Sequence, residues 1–205
     1  MSLKMVKIRQ ALTSCPLPDI ETEICAEIEV LQLQGRVKPS QSVAIGCSSR
    51  GIANYGLIIT TLVKSLREIG LKPFLFPAMG SHGAATAAGQ KRVVEHQGLA
   101  EEKLEVPIKS SLDTVKIGNL GDDTPVLIDR FAYEADHIVI ANRIKSHTEF
   151  THVFESGLMK MLAIGMGKEE GATLYHKAFM IEGYPAIIEH VATTIAKHTL
   201  SLIHI

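Results

Sequence analysis

The chain carries two hydrophobic periods, and the change from one to the other marks its elements. Lys4 to Gln10 alternates, with Val6 and Ile8 opposite Lys7 and Arg9, and predicts a half-buried strand. After the break at Cys15 to Pro18, Asp19 is placed to cap a helix from about Ile20 to Leu33, stopped near Gly35. SVAIG (Ser42 to Gly46) predicts a short buried strand. Between Ile52 and Ile69, residues Tyr55, Ile58, Ile59, Leu62, Val63, Leu66 and Ile69 keep to one face of a helix, and Gly70 ends it. Pro73 to Phe76 predicts the next strand, and about Ala85 to His96 the next helix. Val106 to Ile128 breaks into short β-rich pieces (VPIKS, TVKIG, PVLID) around the turn NLGDD, as in a hairpin or meander. DHIVIA (Asp136 to Ala141) returns to a buried strand, and Tyr184 to Leu200 is an amphipathic helix.

Strands alternating with helices predict an α/β domain: a mainly parallel sheet with flanking helices, plus a small β-rich insertion. Residues 1–205 read as one unit. Arg50, His82 and the segment around His147 each follow the C-terminal end of a predicted buried strand. Open α/β sheets bind ligands outside those ends. The pattern therefore brings three distant stretches to one crevice.

Composition narrows the class. The 205 residues are 46% hydrophobic and 21% charged, ordinary for a globular protein, and suffice for one full core. A net charge of -1, with a pI near 6.8, offers no basic surface for nucleic acid or an anionic membrane. No apolar run reaches the roughly 18 residues of a membrane span, so the mean hydropathy of +0.17 describes a well-filled interior. Cys15, Cys25 and Cys47 show no metal-ligand spacing or disulfide framework, and MSLKMVKIRQ lacks the apolar stretch of a signal peptide. Reduced thiols in a cytoplasmic protein are the expectation.

Candidate chemistry gathers in Asn142 to His176, which holds His147, His152, Lys160 and His176 among glycines and apolar residues. Lone ionisable groups are costly to bury unless paired or used. GCSSRGIANYG (Gly46 to Gly56) sets Arg50 before a helix, where backbone amides and a guanidinium suit a phosphate or carboxylate; a solvated loop arginine is the plain alternative. PAMGSHGAAT (Pro77 to Thr86) sets His82 between glycines, either to exchange protons with a ligand or as an exposed loop residue. Lys160 reads as a nucleophile or covalent anchor, or as a lysine snorkelling from an apolar segment. Met159, Met161 and Met166 read as core. His176, after a helical piece, reads as a ligand, a cap or a surface residue. His96, His137, His190, His198 and His204 read as structural or exposed. A hydrolytic metal on His82, His147, His152 and His176 would need a carboxylate, with Glu149 and Glu155 nearest.

Arg50, His82, His147, Lys160 and His176, in that order, resemble the nickel-pincer lactate racemase family. The resemblance is most specific at Ser156, Gly157 and Lys160 (SG-x-x-K), followed by His176. It covers nearly the whole chain but only the N-terminal domain of a two-domain family, and so implies that a C-terminal domain is missing here. It implies a pyridinium mononucleotide with two sulfur arms around nickel, tethered through Lys160, with Ser156 and Gly157 beside it. His176 would complete a planar nickel site, a geometry and donor set that suit Ni(II). It further implies His82 and His147 as the acid/base pair and Arg50 as the holder of the substrate carboxylate. One histidine would take the hydroxyl proton as hydride leaves the α-carbon, and a planar 2-keto acid would then regain hydride on its other face. Cys47 stands where the family often has an acidic residue, and Gly83 where lactate-active members tend to have arginine. These departures point to a 2-hydroxy acid other than lactate, such as a larger one. Cofactor-synthesis proteins would be partners, an apolar inter-domain surface would favour self-association, and the alternative is a non-catalytic anion- or nucleotide-binding domain or an inactive truncated fragment.

Overall fold

A computed structural model describes residues 5–11, 16–121, 124–147, 151–199 and 202–204. In chain order its elements are α1 (Ile20–Val30), β1 (Ser42–Cys47), α2 (Tyr55–Glu68), β2 (Lys72–Pro77), α3 (Ala87–His96) and α4 (Glu101–Leu104). Then come β3 (Thr114–Leu120), β4 (Thr124–Asp129), α5 (Arg130–Glu134), β5 (His137–Ala141), α6 (Leu158–Lys160), α7 (Lys168–Glu182), α8 (Tyr184–His198) and β6 (Leu202–His204).

Four strands form a parallel sheet in the order β2-β1-β5-β6, while β3 and β4 form a separate antiparallel hairpin. The predicted α/β class and β-rich insertion are both present. In the insertion, only the TVKIG and PVLID pieces become strands. The VPIKS piece contributes a single bridge, from Ile108 to Leu75. Asp122 and Asp123 of the predicted turn lie outside the described residues.

Alternation along each strand builds two cores. Val43, Ile45, Cys47, Leu75, Val139 and Ala141 face one way, onto α1, α2 and α3. Ala44, Phe74, Phe76, Ile138 and Ile140 face the other way, onto the hairpin and the helical segment from Met161 to Ile195. The strands are buried on both faces, which is why they read as near-continuous apolar runs. Gly46 lets the facing side chains close in: a Cβ on it would lie 2.7 Å from Ile140 Cδ1 and 3.1 Å from Phe76 Cζ, so Ile140 would have to shift.

The helix signals held with local adjustments. Asp19 caps α1 by accepting from Thr22 N at 3.1 Å. Its helix ends sooner than expected, and a short 3-10 turn (Leu33–Gly35) follows. The helix expected from Ile52 starts at Tyr55, and that expected from Ala85 starts at Ala87. Ala84 and Ala85 adopt left-handed φ of 55° and 50°, which an α-helix does not allow.

Two expectations fail. Residues 5–11 form no strand, and Met5, Val6 and Ile8 are exposed; Lys4 lies outside the described residues. Alternation supplies a face, but a strand also needs a neighbour to pair with. His176 does have helical pieces before it (Leu158–Lys160 and Met161–Gly165), but it lies in the middle of α7 and so caps no helix end.

Among the described residues, no helix is long and apolar enough to cross a membrane. Cys25 is exposed and Cys47 buried, both as free thiols. Burial pushes the Cys47 thiol up to about 12, so it stays neutral. Cys15 lies outside the described residues.

The loop after β2 and the start of α3 approach backbone to backbone. A Cβ on Gly89 would sit 1.9 Å from Gly83 O. Gly89→Ala is expected to cost about 3 kcal/mol or more in urea unfolding, because backbone cannot yield as a side chain can. Gly35, where a Cβ meets nothing within 4 Å, is the control; Gly35→Ala should stay within about 0.5 kcal/mol.

Candidate functional site

The C-terminal ends of β1, β2 and β5 release the three loops that carry the candidate chemistry. After β1, Ser49 Oγ hydrogen-bonds His82 Nδ1 from the β2 loop, so the first two loops meet directly. Arg50, beside Ser49, and Lys160 both lie close enough to His82 to be felt electrostatically. The His82 pKa is lowered, first by partial burial of the ring, then by the positive charges of Arg50 and Lys160. A neutral imidazole is therefore its resting form at neutral pH.

The third loop folds back on itself before Lys160. Glu155 accepts from His147 N at 2.7 Å and from His152 N at 3.2 Å. It clamps the loop, which accounts for this carboxylate without a metal. Glu149 lies outside the described residues. Ser156 bridges to Lys145, and Gly157 turns the chain into α6 with φ of 133°, a region that favours glycine. Gly157 O accepts from Met161 N at 3.0 Å, closing the turn under Lys160.

Lys160 then points back to the loop. Its Nζ lies 3.1 Å from His147 Nε2 and 5.6 Å from the centre of the Tyr184 ring. As an ammonium it can only donate, which puts the proton of a neutral His147 on Nδ1. Immediately after Lys160 the chain makes a π-helical turn (Met161–Gly165), with Met166 N bonded to Met161 O. Such turns are frequent at functional sites. This one docks on the His82 loop: Gly80 N donates to Gly165 O at 3.2 Å, and a Cβ on Gly165 would lie 2.7 Å from Ala78 O. Met161 and Met166 are buried as core, as expected, and Met159 is half-buried.

His176 reaches this group through aromatic rings. It packs edge-on against Phe179 (5.1 Å between centroids), Phe179 against Tyr184 (4.3 Å), and Tyr184 against His147 (5.2 Å). His176 Nδ1 bonds Ala172 O, one turn back on α7. A carbonyl accepts only, so the proton sits on Nδ1 and the lone pair is on Nε2. A histidine fixed in that way is prepared to give Nε2 to a metal.

Side-chain contacts link Lys160, His147 and, through Tyr184 and Phe179, His176, while Arg50 and Lys160 reach His82 by charge alone. Arg50 and His176 are exposed, His82 is exposed at the residue level with its ring partly covered, and His147 and Lys160 are half-buried. Among the described residues, no three His, Cys, Asp or Glu side chains gather to hold a metal ion. The four histidines of the hydrolytic reading are therefore not one ligand cluster. His152 instead stacks near Phe154, at 6.3 Å. The buried His137, read as structural, bonds Gln41 Oε1 at 2.9 Å, away from this group.

Sequence reasoning missed Ser49, Phe179 and Tyr184. Phe179 was within reach, since positions three apart share a helix face and His176 lies three before it. Ser49 and Tyr184 are brought in by loop geometry that no spacing encodes.

The strand ends of a parallel α/β sheet thus release loops that carry two cations and the histidines. Residues 16–186 match the family model described as the lactate racemase N-terminal domain, and the chain belongs to that family. Its fold is similar to that of the lactate racemase apoprotein from Thermoanaerobacterium thermosaccharolyticum, with a TM-score of 0.61 and 16% identity. That similarity covers 85% of this chain and 46% of the other, so the chain spans about half the length of this relative. No curated protein matches the sequence.

Replacing Arg50 removes one of the charges that lower the His82 pKa. Arg50→Gln is expected to raise the His82 titration midpoint in NMR while leaving it below the ordinary value, because burial remains. An unmoved midpoint would separate Arg50 from His82.

Proposed function

We propose that this protein is a racemase or epimerase of 2-hydroxy acids that works with a nickel-pincer nucleotide attached to Lys160. The observation that carries the reading is the placement of Lys160 Nζ 3.1 Å from His147 Nε2, within the electrostatic reach of His82. Family membership supports a lactate racemase-like protein; the chemistry is read from these residues.

The donor set fits the group. Lys160 would carry the tether, Ser156 and Gly157 would shape the turn beside it, and His176 Nε2 would meet the nickel. When bound, the nucleotide supplies a hydride acceptor and donor. The protein's own part is to hold the substrate and move one proton. Arg50 would hold the carboxylate, as a guanidinium does well in a bidentate pair. His82 is suited to take the hydroxyl proton, because its lowered pKa keeps it neutral. His147 would serve as the second base on the other side of the α-carbon. With Lys160 tied up in an amide-like bond, the charge beside His147 is gone and its Nε2 can accept a proton.

Cys47 cannot replace a carboxylate in this chemistry, being buried and neutral. With Gly83 beside His82, this supports a substrate other than lactate, such as a larger 2-hydroxy acid. The residues covered here would act as the N-terminal, cofactor-holding unit, in a cytoplasmic setting where cofactor-synthesis proteins load Lys160. A module that binds anions without turnover is the second reading, supported by the two cations around His82.

The test is intact mass with peptide mapping and nickel analysis of the protein co-produced with cofactor-synthesis proteins. The expected result is a mononucleotide-sized adduct on Lys160 with bound nickel, both absent from Lys160→Ala. An unmodified Lys160 in a host that modifies an authentic lactate racemase would favour the binding module. In the loaded protein, an acid limb of kcat/KM below the ordinary histidine value of about 6.5 is expected, since His82 must be neutral to act.

A further inference from the structure

Lys168 is fully buried, and none of the chemistry above uses it. Its Nζ lies 2.8 Å from Pro77 O, 3.1 Å from Gln90 Oε1 and 2.9 Å from Asp129 Oδ2. Pro77 O and Gln90 Oε1 accept hydrogen bonds from the ammonium, while Asp129 Oδ2 meets it as a charge partner without hydrogen-bond geometry. Burial lowers the Lys168 pKa and raises that of Asp129, while their mutual attraction opposes both shifts. The lysine also holds a left-handed φ of 56°, unusual for a residue with a long side chain. A buried ion pair is weak as a source of stability, and apolar residues of like volume often do as well. Backbone strain that persists beside a candidate site points to a function.

The connections of the cluster say which. Pro77 ends β2 and begins the run to His82. Gln90 passes the link on: its Nε2 donates to Gly80 O at 2.7 Å and to His82 O at 3.3 Å. Asp129 is held at the end of β4, where its carboxylate accepts from Ala132 N and its own N donates to Met166 O, just beyond the π-helical turn. Lys168 itself starts α7, which carries His176.

We infer that the buried Lys168–Asp129–Gln90 cluster is a positioning device, which sets the His82 loop against the Lys160 turn and the His176 helix. This rests on the reading of His82 as an acid/base group. Its test does not require turnover, so the two can fail separately.

Gln90→Met removes both bonds to the loop carbonyls but leaves the ion pair. Amide hydrogen exchange of residues 80–85 is expected to quicken about tenfold, the scale of a lost buried hydrogen bond, while exchange in α1 stays unchanged. The His82 midpoint should move toward the ordinary histidine value in NMR titration as the ring leaves its partly buried place. Lys168→Met/Asp129→Asn removes both charges and keeps the carbonyl-type acceptor for Ala132 N; it should give the same local signature. Restoring the donor with Gln90→Asn should recover little, because the shorter side chain cannot span the gap. In the nickel-loaded protein, Gln90→Met should lower kcat and retain the Lys160 adduct. Unchanged loop exchange and an unchanged His82 midpoint would overturn the inference. So would uniform acceleration that includes α1, which would mark the cluster as a support of the whole fold.

Discussion

Parallel pairing on both edges of β1 is the constraint from which the rest follows. β1 bonds to β2 on one side and to β5 on the other, both in the same direction. Parallel neighbours cannot be joined by tight turns, so each connection must cross a face of the sheet. Every strand then releases its chain at the same end. Ser49 and Arg50, His82, and His147 are far apart in sequence yet leave from adjacent strands at one edge. The crevice is a consequence of strand direction before any side chain is chosen.

What closes the crevice is contact between backbones. Gly165 against Ala78, and Gly89 against Gly83, bring the His82 loop nearer to its neighbours than a Cβ would permit. Such contacts carry little hydrophobic energy, but they fix distance, which proton transfer needs. The aromatic rings of Phe179 and Tyr184 complete the other side with shape more than polarity, and they leave nitrogen positions on His147 and His176 set by their hydrogen bonds.

Much of this was legible in the sequence. The buried strands announced themselves as apolar runs, and α2 as a seven-residue stripe from Tyr55 to Ile69. Arg50, His82, His147, Lys160 and His176 could be named because ionisable residues stood out against small and apolar neighbours. Other features were not legible, for physical reasons. Val6 and Ile8 alternate, but pairing depends on a neighbour and not on the strand alone. Lys168 stands in GKEEGA and looks solvated; its acceptors come from Pro77, Gln90 and Asp129, which only the tertiary fold assembles. The π-helical turn is made of Met161, Leu162, Ala163, Ile164 and Gly165, residues equally at home in an α-helix.

That turn has a consequence for how the site can change over evolutionary time. It holds one residue more than an α-helical turn would, and each residue of a helix advances the direction of its side chains by about 100°. Loss of a single residue between Met161 and Gly165 could leave the interior just as oily and the helix just as regular. Yet it would turn the lysine and the histidine-bearing helix out of phase with one another. The relative orientation of Lys160 and α7 is therefore set by the count of residues in this stretch as much as by their identity.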